Sequence, residues 1–153
     1  MKVLIKCRVW LAVALGAPAM AADGLITVPS SFNSRQTIDR LEAALKSGGA
    51  TIFARIDHAA GAAANGMTLR PTELLIFGNP KGGTPLMQAS QSIGIDLPMK
   101  ALAWEDQVGK TWLAYNDPVW IAKRHEAGPG VAKATEALAN GLKAAAAKAT
   151  TGP

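Results

Sequence analysis

From Leu25 onward, two hydrophobic rhythms alternate along the chain. A period of two marks a strand with one buried face, and apolar residues recurring every three or four positions mark a helix. Leu25–Pro29 reads as a first strand. Ile38, Leu41 and Leu45 then form one helical stripe. Asn33 and Gln36 supply capping-box spacing, with Ser31 as a competing cap, and Gly48-Gly49 stops the helix. Ala50–Asp57 alternates as a strand, with Ile52, Ala54 and Ile56 on one side and Phe53 and Arg55 on the other. His58–Gly66 reads as either a short helix capped by Asp57 or a small-residue loop.

The unbroken apolar run Leu74-Leu75-Ile76-Phe77 within Glu73–Gly78 suits a strand covered on both faces. Gly78–Gly83 reads as a sharp loop, and Thr84-Pro85 as the cap and first residue of the next helix, stopped by Gly94. Lys100–Asp106 and Lys110–Asn116 make a hairpin around Gln107-Val108-Gly109, with Trp104 and Trp112 able to meet across it. Asp117-Pro118 opens another helix that ends near Gly128. A last helix follows Pro129-Gly130, with Val131, Leu138, Leu142 and Ala145 on its apolar side and an Ala-rich end that frays. Five strands with hairpin-type links and several helices predict an α+β fold: a mostly antiparallel sheet with helices packed on one face.

The first 22 residues change the picture. Lys2, Lys6 and Arg8 precede the apolar run Val9–Ala17, Pro18 breaks it, and Ala19-Met20-Ala21 has signal-peptidase spacing. The expected organisation is a signal peptide over 1–22, a single α+β domain over 23–128, and a C-terminal helix and tail over 129–153. The expected location is periplasmic or secreted, with no stable membrane anchor after cleavage. Cleavage removes three of the 16 basic residues and leaves 13 against 11 acidic ones, too even a balance for nucleic-acid binding. It also removes Cys7, the one cysteine, and with it disulfides, thiolate metal ligands and cysteine nucleophiles.

Several motifs recur together in order: Ile76-Phe77-Gly78-Asn79-Pro80-Lys81, Gly83-Thr84-Pro85-Leu86-Met87, Asp96-Leu97-Pro98, Trp104-Glu105-Asp106 and Tyr115-Asn116-Asp117-Pro118. In these the chain resembles the family called domain of unknown function 302, over about Leu25 to Glu126, with the helix after Pro129 outside it. The resemblance implies a compact α+β domain, an antiparallel sheet on helices, and a homodimer. It implies no activity.

Candidate chemistry is sparse. Gly78 and Gly83 have P-loop separation, but Thr84 stands where the lysine belongs and Pro85 removes an amide. The loop is expected to offer Asn79, Lys81 and Thr84, with Asn116, to a small organic or anionic ligand. That makes the first expected function an accessory ligand-binding domain. An acid–base enzyme using His58 and Glu105 is the second, since a carboxylate can orient an imidazole. A dimeric protein-interaction module is the third. His125 ends a helix, where a positive charge suits the dipole. Two histidines 67 positions apart give no metal signature, and no cofactor is implied. Without a G-x-S-x-G motif, Ser90 and Ser92 read as helix and cap residues.

Overall fold

The computed structural model describes residues 22–152, so the leader read over 1–22 lies outside the described residues except for Ala22. Five strands, β1 (Leu25–Ser30), β2 (Thr51–Asp57), β3 (Thr72–Gly78), β4 (Met99–Glu105) and β5 (Thr111–Asn116), form one antiparallel sheet in the order β1-β5-β4-β3-β2. The helices are α1 (Ser34–Ser47), α2 (His58–Ala64), α3 (Pro80–Ala89), α4 (Pro118–Arg124) and α5 (Ala132–Thr150), with 3-10 turns at Gln91–Ile95 and Pro129–Val131. The α+β fold is thus as the residue pattern predicts. β1 and β2 hold opposite edges, so α1 crosses the sheet between them and touches β2, β3, β4 and β5 on the way.

Local chemistry sets α1. Asn33 Oδ1 accepts from the Gln36 amide at 2.9 Å and Gln36 Oε1 accepts from the Asn33 amide, closing a capping box. Its stripe of Ile38, Leu41 and Leu45 is buried against Leu75 and Phe77 of β3, Met99, Ala101 and Ala103 of β4, and Leu113 and Tyr115 of β5. The alanines of β4 leave α1 room to approach the sheet's centre. α5 lies beside α1 and contributes Leu142, Ala145, Ala146 and Ala149 to the same core. Full burial of a leucine such as Leu113 contributes about 1.5–3 kcal/mol.

One charged pair enters this covered side. Glu73 of β3 is 4% exposed and receives Arg55 of β2 at 2.8 Å through Nε and 2.7 Å through Nη2. Arg55 also reaches Asp39 of α1. Burial pulls the Arg55 guanidinium down, but the hydrogen bonds and charges of Asp39 and Glu73 outweigh it and hold its pKa above the usual value. A buried carboxylate is tolerable only with such a partner.

Four expectations need correction. The register of β2 against β3 shifts between Ile52 and Ala54. This bulge puts Ile52 and Arg55 on the helix-covered side, opposite Phe77 and Leu75, and Ala54 and Ile56 on the other. β3 is not covered on both faces: Leu75 and Phe77 are buried, whereas Leu74 and Ile76 are half-buried. The Gly78–Gly83 loop is instead the start of α3, because Asn79 caps it through the Lys81 amide at 2.9 Å and Pro80 takes the first position. Pro85 falls inside that helix. The α5 end does not fray: Ala149 and Thr150 are buried and Arg40 Nη2 donates to the carbonyls of Lys148 and Thr151. The 58–66 segment takes its helical alternative, with Asp57 accepting from Ala60.

Candidate functional site

Two of the loop residues selected from sequence border an apolar pocket of about 270 Å³. Asn79 and Thr84 line it, beside Phe53, Met87, Leu97, Pro98, Met99 and Leu138. Asn79 is occupied: its Oδ1 caps α3 and its Nδ2 donates to the Gly49 carbonyl at 3.2 Å. Lys81 is exposed and does not line the pocket. Walls of this kind desolvate an anion without compensating it. Asn116 ends β5, paired with Leu25 of the edge strand and two strands from β3, and does not line the pocket.

His58 and Glu105 are not joined by any hydrogen bond or ion pair among the described residues. His58 is the exposed first residue of α2, following β2, and Glu105 ends β4. β3 lies between those strands, so their backbones are separated by roughly 10 Å.

A different set of residues does converge. Asp96 Oδ2 lies 2.7 Å from His125 Nε2, and Ser92 Oγ lies 2.9 Å from His125 Nδ1. Arg124 Nη1 reaches the same carboxylate at 3.2 Å. The turn after α3 carries Ser92 and ends at Asp96, and His125 is the C-cap of α4. Sequence reading missed this because the two pieces are 29 residues apart and belong to no local motif. The only available sign was a histidine at the predictable end of an Asp-Pro helix.

The second surface of note is the sheet face turned away from α1 and α5. Register places Ile56, Leu74, Leu102, Ala114 and Thr27 in one row across all five strands. Trp104 and Trp112 pair directly beside it, as the hairpin reading expects. Apart from Ala114 these apolar side chains are half-buried or exposed, with Ile56 39% exposed. Asp106 steadies the hairpin: its carboxylate accepts from the Trp112 indole at 2.8 Å and from the Lys110 and Val108 amides. These bonds, the indole's first, hold its pKa below the usual carboxylate range.

Comparison with known proteins corrects the functional expectation. Fluoride-specific ion channel FluC 1 of Brucella suis biovar 1 is 50% identical over 127 residues, covering 81% of this chain and 50% of that protein. FluC 2 of Brucella melitensis biotype 1 is 50% identical over the same length, covering 81% of this chain and 47% of its own. The chain therefore spans about half the length of these curated relatives. Their names contradict the expectation of a secreted accessory domain binding a small organic or anionic ligand, and the apolar pocket walls give the anion no physical support. An uncharacterised DUF302 protein of Bacillus stearothermophilus shares the fold, with a TM-score of 0.74 at 21% identity over 84% of this chain and 99% of that one. The family described as Domain of unknown function DUF302 matches residues 26–145, a stretch that reaches into α5, which sequence reading had put outside it. The chain belongs to the DUF302 family.

Proposed function

We propose that this chain serves a fluoride-specific ion channel as a domain beside the conducting part. The observation that carries the reading is the 50% identity to half of each of several proteins named as such channels. Among the described residues no helix is long and apolar enough to cross a membrane, and the reading gives these residues a role next to the pore. The contact surface we assign is the sheet face bearing Ile56, Leu74, Leu102, Trp104 and Trp112. Partly exposed apolar surface of this kind, with aromatic residues beside it, has the composition of an interface core.

The test is genetic and quantitative. Deletion of this chain's gene in its own host should lower the fluoride concentration that halts growth several-fold, and the intact gene should restore it. Unchanged fluoride tolerance after clean deletion contradicts the reading.

A further inference from the structure

The channel reading makes no use of Ser92, His125 and Asp96. One neutral tautomer of His125 satisfies both of its contacts: Nε2–H donates to the Asp96 carboxylate, and the Nδ1 lone pair accepts the Ser92 O–H. The imidazole side chain is only 9% exposed, and Asp96 13%. Ser92, by contrast, is exposed to solvent. A carboxylate, a nearly buried imidazole and an accessible hydroxyl in series have the connectivity of an activated serine nucleophile, which is recognised by geometry and not by sequence order. Here the ring nitrogens exchange their commoner roles, with Nδ1 toward the hydroxyl, which leaves the proton path intact.

We infer that Ser92 is a nucleophile that accepts the acyl group of a small ester, with His125 as its general base and Asp96 as a positioning residue. Ser92 Oγ bonds to the ester carbonyl carbon as its proton passes to Nδ1. Collapse breaks the ester C–O bond, and the departing alkoxide takes that proton and leaves as the alcohol. Water then attacks the acyl-serine, giving a proton to Nδ1. The carboxylic acid departs and Oγ regains its hydrogen. Gln91, the chain neighbour of Ser92, lines an open surface depression with Thr84, Met87 and Gln88. Arg124 shares the Asp96 carboxylate with the imidazole.

The probe is an alkyl fluorophosphonate applied to the purified full chain, read by intact mass and peptide mapping. The expected result is a single adduct on Ser92 of the native chain and none on the heat-denatured chain. His125→Gln and Asp96→Asn should slow labelling at least tenfold, with p-nitrophenyl acetate hydrolysis falling in step. Asp96→Glu should recover part of the rate, which a purely structural tie would not require. Ser92→Ala should keep the native Tm and take no label. The native-chain measurement stands even where a variant fails to fold. No adduct at Ser92 in the native chain, or one that forms as fast in folded His125→Gln, overturns the inference.

Discussion

The two faces of the sheet are built from alternate residues of the same strands, yet they differ in kind. On β3, Leu75 and Phe77 are sealed under α1 while Leu74 and Ile76, their immediate neighbours, remain half-buried. On β5, Leu113 is fully buried and Trp112 beside it is not. The covered face pairs large side chains of the helices with small ones of β4, as a close-packed interior requires. The other face keeps large apolar groups where the chain itself gives no comparable cover. One face holds the fold together, and the other is available to a partner.

The comparison can be broken most severely on the covered side. Leu113→Ala should cost about 2–5 kcal/mol in urea unfolding, because it removes a fully buried side chain and leaves a cavity beneath α1. A cost under about 1 kcal/mol would mean that the covered face is not the core. Glu73→Gln should cost about 2 kcal/mol, since it strips the charge from Arg55's buried partner, and Tm is the readout. Ile56→Lys on the other face should change stability by less than about 0.5 kcal/mol in the same assay, while weakening association with the channel.

The smallest effect concerns pH. The Asp106 carboxyl is held below its usual pKa, so its contribution to stability is present above the unfolded value of about 3.9 and is lost as pH falls through the folded value. The stability gap between the native chain and Asp106→Asn should therefore exist at pH 7 and close on acidification. A gap that persists unchanged at pH 2 would show that the Trp112 tether works without the charge.

Much of this fold is written in local pattern. The Asn33 cap, the Asp117-Pro118 helix start and the Trp104–Trp112 hairpin follow from spacing alone, because each depends on residues within a few positions of one another. The misreadings share a cause. Thr84-Pro85 has the chemistry of a helix start, but Asn79-Pro80 has the same chemistry five residues earlier and wins. Four apolar residues in a row cannot say which of two faces a helix will cover, and that choice belongs to α1, which the chain supplies elsewhere. The candidate site was less legible still. His58 and Glu105 looked suitable one at a time, and only the sheet order shows a strand between them. Ser92, Asp96 and His125 meet only because α4 folds back onto the turn after α3, a juxtaposition that no spacing rule contains.

The central claim is tested most directly by affinity purification of the tagged chain from detergent-solubilised membranes of its own host, with bound proteins identified by mass spectrometry. The account predicts a fluoride-specific ion channel in stoichiometric amount with the native chain and its loss with Ile56→Lys. Recovery of the native chain without any such channel, alone or as a self-paired dimer, would contradict it.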